Sequence, residues 1–306
     1  MRTVAVLGAG SWGTALAVHL GRTGHDVRLW GRDRSLVDDT EARRANAVYL
    51  PDVTLPACVS VTHSLETALD GTDLVVVAIP SHGCRAVLRA AAPHVFNGAV
   101  LVSATKGLEG GTLLRMSEVI EQEVGAHPVV VLSGPSFASE VAQQLPTAVL
   151  AASSNRAATE LVQAEFRGPY FRLYGSDDVA GVEIGGALKN IIAIAAGGHR
   201  ETLSGLSGLG DLVLTCTGTL SRNRHVGSEL ARGRSLDEIL ASMKMIAEGV
   251  RTTGAALALG ARYDVELPIT TQMAEVLAGR TDVRTAIDAL MLRRQRAEAE
   301  SQGSIG

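Results

Sequence analysis

The chain has 306 residues, enough to bury a large core and to form about two domains. Its net charge of −4 argues against nucleic acid or an anionic membrane as the main partner. The three cysteines, Cys58, Cys84 and Cys216, are too few and too widely spaced for a disulfide framework or a zinc site, and they suit a reducing compartment.

Targeting and membrane signals are weak. The apolar N-terminal stretch could pass for a signal peptide, but only Arg2 precedes it, and its glycines have a better explanation below. The nearest candidate for a membrane span is 179–196, which contains Glu183 and Lys189, and charged side chains are expensive in lipid. We therefore expect a cytoplasmic protein without an integral membrane segment.

The chain opens with a dinucleotide-binding pattern. A strand at Thr3–Leu7 is followed by Gly8-Ala9-Gly10-Ser11-Trp12-Gly13, a helix over 14–20 and a strand at Asp26–Trp30. In such a unit the first glycine allows the tight turn, the second lets the backbone approach the pyrophosphate, and the third packs helix on strand. The helix N-terminus then offers N–H groups to the diphosphate. This pattern predicts that the loop binds NAD or NADP.

Arg32 follows the second strand, where NAD-binding proteins usually carry an acidic residue. Its guanidinium could pair with a 2′-phosphate, which favours NADP without excluding NAD. The alternative is that Arg32 and Arg34 are solvated side chains at the start of a helix.

Three further apolar runs, 74–79, 100–104 and Val129–Ser133, are typical of buried parallel strands. They end in Pro80-Ser81-His82, Thr105-Lys106-Gly107 and Gly134-Pro135-Ser136. Ligands of doubly wound sheets collect at such strand ends, so we expect one crevice there. With further strands at Thr147–Ala152 and 170–174, residues 1–176 are predicted to form an α/β, Rossmann-like, doubly wound domain.

From about Asp177 strand-like runs stop, which predicts an all-α C-terminal domain over 177–306. Its predicted helices are 179–196, Arg222–Ala231, 236–243, 252–261, 269–277 and 283–292. From Arg293 onward apolar spacing is lost, and a loose tail is expected.

The helix predicted at 179–196 is apolar or small nearly all round, with Glu183, Lys189 and Asn190 as its polar side chains. Such a helix is normally buried, and burial lowers the pKa of a lysine, which suits a general acid or base. Alternatively, Lys189 extends its ammonium to water from a core helix. Gly185 and Gly186 leave room for another backbone or a bound molecule.

Two more groups in this half could carry chemistry. Arg222 with Ser221 and Asn223 at a helix start suits a phosphate, although an exposed capping turn explains them equally well. Asp211, in a glycine-rich turn, could orient a lysine or only cap the residues that follow. Together, Lys189 and Asp211 make a plausible proton-transfer site. The histidines lack metal-ligand spacing, and we assign no metal.

At this point the sequence resembles a known family, bacterial NAD(P)-dependent glycerol-3-phosphate dehydrogenase. The matching segments, in family order, are GAGSWGTALA from Gly8, PSH from Pro80, TKGLE from Thr105, SGPSFASE from Ser133, GVEIGGALKNIIAIAAG from Gly181, GLGDLVLTCTGTLSRNR from Gly208 and AEGVRT from Ala247. The resemblance implies reduction of dihydroxyacetone phosphate to sn-glycerol 3-phosphate, the entry to phospholipid synthesis, with a homodimer as the candidate assembly.

The resemblance also implies residue roles. Lys189 would be the catalytic proton carrier at the C2 oxygen, and Asp211 would steer Lys189 and a substrate hydroxyl. The substrate would contact Lys106, Gly134, Ser136, Lys189, Asp211, Ser221, Arg222 and Asn223. The dinucleotide would contact Gly8, Gly10, Ser11, Trp12, Gly13, Arg32, Lys106, Ala138, Arg222, Ile246 and Glu248.

One departure from the family is large. Residues 197–202 join IAIAAG almost directly to the GLGD loop, where the family has an alanine-rich helical segment, so roughly two helices are absent between Gly197 and Leu209. No implied site residue lies in the absent part, but the segment would pack against the 179–196 helix. The competing hypothesis is therefore a truncated relative that binds dinucleotide without turnover. A related hydroxyacid dehydrogenase is a third, which SGPSFASE and Ser221-Arg222-Asn223 disfavour.

Overall fold

The structure, a computed structural model, describes residues 1–188, 222–243 and 248–291. Its strands are β1 (Thr3–Leu7), β2 (Asp26–Trp30), β3 (Ala45–Asn46), β4 (Leu50–Thr54), β5 (Val59–Thr62), β6 (Leu74–Val77), β7 (Val100–Ser103), β8 (Val129–Ser133), β9 (Thr147–Ala152) and β10 (Phe171–Ser176). Its helices are α1 (Ser11–Arg22), α2 (Arg34–Arg43), α3 (Leu65–Leu69), α4 (Ser81–Ala91), α5 (Met116–Val124), α6 (Ala138–Ala142), α7 (Arg156–Phe166), α8 (Val179–Leu188), α9 (Arg222–Ala231), α10 (Leu236–Ser242), α11 (Glu248–Arg262), α12 (Pro268–Leu277) and α13 (Val283–Met291).

The main sheet is doubly wound. Its eight strands lie in the order β10-β9-β8-β7-β6-β1-β2-β5, and neighbours are parallel except for the antiparallel pair β8 and β9. The chain runs outward from β1 to β2 and β5, then returns to β6 and runs outward the other way. The order therefore reverses between β1 and β6, which is where such sheets bind ligands. The predicted Rossmann-like fold is confirmed.

Both faces of the sheet are covered, which explains the unbroken apolar runs of its central strands. On one face, Val4 and Val76 belong to a core with Leu16 of α1. On the other face, Val77 belongs to a core with Ile120 of α5. The carboxyl ends of β1, β6, β7 and β8 are thereby held at one edge of a rigid layer.

Most of the predicted helices and strands are present in the structure, but many of their ends are shifted by a few residues. The first helix begins at Ser11 rather than at residue 14, because its first turn is the glycine-rich loop itself. β6 and β7 end earlier than predicted, at Val77 and Ser103, and β10 is shifted to Phe171–Ser176. The short antiparallel pair β3–β4 was not predicted. The last strand ends at Ser176 and the described elements after it are helices, while the division into domains at 176 stays a prediction.

Helix α8 confirms the predicted burial as far as it is described. Residues 181–187 are all buried, and Val182 packs against Val131 and Ala152 of the sheet. Residues 189–196 of the predicted helix lie outside the described part of the chain. Within that part, no helix is both long enough and apolar enough to cross a membrane.

Two histidines, His19 in α1 and His25 just after it, bind the end of α7. His19 Nε2 donates to the carbonyl oxygen of Phe166 at 2.7 Å, and His25 Nε2 lies 2.9 Å from the carbonyl oxygen of Glu165. The last carbonyls of a helix have no partner within it, so these bonds satisfy groups that would otherwise be buried unpaired. Burial lowers the pKa of His19, because it disfavours the imidazolium.

We therefore expect acid to destabilise the protein partly through His19. Its pKa is lower in the folded than in the unfolded chain, so below the unfolded value of about 6.5 the unfolded chain binds more protons and stability falls as pH falls. Urea unfolding between about pH 7.5 and 5.5 should show a smaller loss in His19→Gln, which keeps a donor but does not titrate. The exposed His94→Gln is the control. Equal pH dependence in wild type and His19→Gln would contradict this role.

Candidate dinucleotide and substrate site

The glycine-rich loop between β1 and α1 has the backbone that its pattern predicts. Gly8 has φ of +122°, and a Cβ there would lie 2.5 Å from the carbonyl oxygen of Ala78, just after β6. A Cβ at Gly13 would overlap the carbonyl oxygen of Gly8. Glycine at the first position permits the turn, and at the third position it lets α1 lie directly against the loop.

The start of α1 is open. Gly10 is the N-cap residue and provides no side-chain cap. A Cβ built on Gly10 would meet nothing within 4 Å. The first N–H groups of a helix lack partners inside it and carry partial positive charge. An uncapped, uncrowded helix start of this kind fits the diphosphate of a dinucleotide.

Hydrogen bonds join the carboxyl ends of three neighbouring strands. Thr105 Oγ1, after β7, donates to the carbonyl oxygen of Ile79, after β6, at 2.7 Å. Lys106 Nζ donates to the carbonyl oxygen of Gly134, after β8, at 2.8 Å, and Ser136 Oγ donates to the same oxygen at 3.2 Å. The predicted convergence of these strand ends is confirmed. It places Lys106, Gly134 and Ser136 together, with Ala138 starting α6 just beyond.

A group of basic side chains lies beside the loop. Arg32 after β2, His82 at the start of α4 and Arg251 in the first turn of α11 are all exposed. Partial desolvation by neighbouring groups, and then the positive charges of Arg251 and Arg32, lower the pKa of His82. The field in this region therefore favours an anionic ligand. Arg251 was missed from the sequence, although it lies in the AEGVRT segment, one helical turn after Glu248.

In the helical half, the structure describes only some of the site residues that the family resemblance implies. Lys189, Asp211, Ser221 and Ile246 lie outside the described residues, as does the side chain of Glu248. Arg222 is exposed at the start of α9.

Asn223 joins α9 to the start of α11. Its Oδ1 accepts the N–H of Gly249 at 3.0 Å. That bond holds the Asn223 and Glu248 segments together. Since Oδ1 binds the helix, Nδ2 is the atom suited to donate to a phosphate.

Glu183 fixes α8 in place, a role the sequence did not reveal. Its carboxylate accepts the N–H of Ser117 at 2.9 Å, the Ser117 hydroxyl at 2.5 Å and the Arg115 guanidinium at 3.0 Å. This places a negative charge at the N-terminus of α5, where the helix dipole favours it. Burial raises the pKa of Glu183 because it disfavours the carboxylate. The helix that leads directly into Lys189 is therefore anchored by a buried charge.

Gly186 brings α8 close to the sheet. A side chain at this position would overlap the hydroxyl of Ser133 at the end of β8. The space predicted beside Gly186 is therefore filled by the Ser133 side chain rather than by a ligand. The end of α8 consequently lies over the same strand ends as Lys106 and Gly134.

Comparison with known proteins places these features in a family. The family models described as NAD-dependent glycerol-3-phosphate dehydrogenase N-terminus and C-terminus match residues 3–159 and 196–288. A glycerol-3-phosphate dehydrogenase [NAD(P)+] from Koribacter versatilis is 48% identical over 96% of this chain and 98% of the relative. The crystal structure of glycerol-3-phosphate dehydrogenase from Coxiella burnetii has a TM-score of 0.91 and 36% identity, over 95% of this chain and 99% of that one.

The alignments with these relatives are longer than this chain, while the position of the expected shortening after residue 197 stays a prediction. The alignment with a glycerol-3-phosphate dehydrogenase [NAD(P)+] from Desulfitobacterium hafniense is 41% identical over 336 positions and covers 100% of this chain of 306 residues, which leaves 30 positions without a residue here. That is about the length of two helices and their loops. The C-terminal family model nevertheless spans the 197–209 connection, since its match begins at residue 196 and runs to residue 288. The chain belongs to the NAD(P)-dependent glycerol-3-phosphate dehydrogenase family and is an oxidoreductase that uses NAD or NADP.

Proposed function

We propose that this protein reduces dihydroxyacetone phosphate to sn-glycerol 3-phosphate, reversibly, and that the product feeds glycerophospholipid synthesis. The observation that carries the proposal is 41–48% identity, over nearly the whole chain, to relatives named for this activity. A cytoplasmic location and a homodimer stay predictions from the sequence.

Lys106 is the described residue best suited to act on the ketone. Its ammonium is held by the carbonyl oxygen of Gly134, at the joined ends of β7 and β8. A cation fixed in this crevice stabilises negative charge that develops on the C2 oxygen. For the substrate phosphate we propose Arg222, with Ser221 and Asn223 beside it, because a guanidinium can bind two phosphate oxygens at once.

Reduction of a ketone to an alcohol requires one hydride at carbon and one proton at oxygen. NAD(P)H, when bound at the glycine-rich loop, would supply the hydride and would become NAD(P)⁺. We assign the proton to Lys189, which gives it to the C2 oxygen and takes it back in the oxidative direction. Asp211 would orient the ammonium and favour its charged form.

The second candidate function is dinucleotide binding without turnover. The shortened connection after residue 197 favours it, since the absent segment would pack against the helix that contains Lys189. The two functions separate in one experiment on the purified protein. NADPH is titrated alone, and then dihydroxyacetone phosphate or unphosphorylated dihydroxyacetone is added. Conversion of the phosphorylated ketone to sn-glycerol 3-phosphate supports the dehydrogenase, and binding without conversion supports the alternative.

A further inference from the structure

Asn46 is a buried amide that lies against the glycine-rich loop from outside the strand–loop–helix unit. It is 0% exposed. Its Nδ2 donates to the carbonyl oxygen of Ala9 at 3.0 Å and to Oγ1 of Thr14 at 2.9 Å, and its Oδ1 accepts the N–H of Tyr49 at 3.0 Å. A carbonyl oxygen only accepts and an N–H only donates, so these partners fix the orientation of the amide.

The bond to Ala9 has a geometric consequence for Gly10. A trans peptide is planar, and its C=O and N–H point in opposite directions. Because Asn46 draws the Ala9 carbonyl into the interior, the N–H of Gly10 points away from Asn46. Gly10 is partly exposed, with open space around it at the start of α1.

We infer that Asn46 is a positioning residue for the cofactor, which fixes the Ala9–Gly10 peptide so that the loop N–H groups face the diphosphate of NAD(P). Reversing this peptide would break the buried hydrogen bond between Asn46 Nδ2 and the Ala9 carbonyl oxygen, which is costly. The loop is therefore oriented before the ligand arrives, and binding need not supply that ordering energy. The inference depends on NAD(P) binding, and neither on the substrate nor on Lys189.

The test compares cofactor affinity in Asn46→Ala and Asn46→Asp with wild type. Asn46→Asp keeps the shape but replaces the donor facing Ala9 with an acceptor. By fluorescence titration, the Kd of NADPH should rise roughly ten- to hundredfold in both, the equivalent of one hydrogen bond to a charged group. If turnover is measurable, the KM for NADPH should rise with it, while kcat and the KM for dihydroxyacetone phosphate stay near wild type.

The matched control is Asn155→Ala, which removes an asparagine that caps α7 by accepting the N–H of Ala158 at 3.1 Å. It should lose stability without losing NADPH affinity. An unchanged Kd in a folded Asn46 variant would overturn the inference, and so would an equal loss of affinity in Asn155→Ala. If Asn46→Ala does not fold, Asn46→Asp, which stays close to the native volume, decides the question: a raised Kd supports the inference and an unchanged Kd overturns it.

Discussion

Replacing Lys189 with alanine is expected to lower kcat for dihydroxyacetone phosphate reduction by roughly a hundred- to ten-thousandfold, the usual contribution of a general acid. The Kd of NADPH should not change, since the glycine-rich loop lies in the other half of the chain. The reason is the proton balance of the reaction: the C2 oxygen must gain a proton, and Lys189 directly follows a helix that is buried and anchored by Glu183.

Lys189→Arg separates proton transfer from charge. It keeps a cation at the position, but a guanidinium does not exchange its proton near neutral pH. We expect it to remain impaired, with a KM for dihydroxyacetone phosphate closer to wild type than that of Lys189→Ala. Steady-state kinetics and an NADPH titration on the same preparations measure both effects. Near-normal turnover in Lys189→Ala would show that another group supplies the proton.

Alanine substitutions at two glycines of the same loop, Gly10 and Gly13, are expected to have contrasting effects. Gly10→Ala adds a methyl group where nothing lies within 4 Å, so the protein should fold with nearly unchanged stability. The methyl group would occupy the space through which the backbone approaches the diphosphate. We expect the Kd of NADPH to rise by about a hundredfold, which corresponds to a loss of about 2.8 kcal/mol of binding free energy.

Gly13→Ala should instead act mainly on folding stability. Its methyl group would overlap the carbonyl oxygen of Gly8, and α1 would have to move away from the loop. Overpacking of this kind costs about 1–3 kcal/mol of folding free energy. Urea unfolding and NADPH titration of the two variants measure the contrast. Normal NADPH binding by Gly10→Ala would mean that the diphosphate does not approach the loop at this residue.

The features that the sequence predicted well are those with a local physical signature. A strand buried on both faces, such as Val129–Ser133, reads as an unbroken apolar run. The ends of such strands converge because parallel topology brings them to one edge, so Lys106 and Gly134 could be placed together before their hydrogen bond was seen.

The features that were missed depend on partners far away in the chain. Asn46 lies 37 residues from Ala9, and Glu183 lies 66 residues from Ser117. Nothing in either local sequence identifies the carbonyl or hydroxyl that each side chain meets. β4 was missed because Pro51 and Asp52 interrupt its apolar pattern.

The central claim is that this shortened member of the family still performs the reaction. The most direct measurement is NADPH oxidation, followed by absorbance, when dihydroxyacetone phosphate is added to purified wild-type protein. The account predicts oxidation that depends on the phosphorylated ketone, yields sn-glycerol 3-phosphate and is lost in Lys189→Ala. Saturable NADPH binding with no oxidation in the wild-type protein would contradict it, and would identify the chain as a dinucleotide-binding relative without turnover.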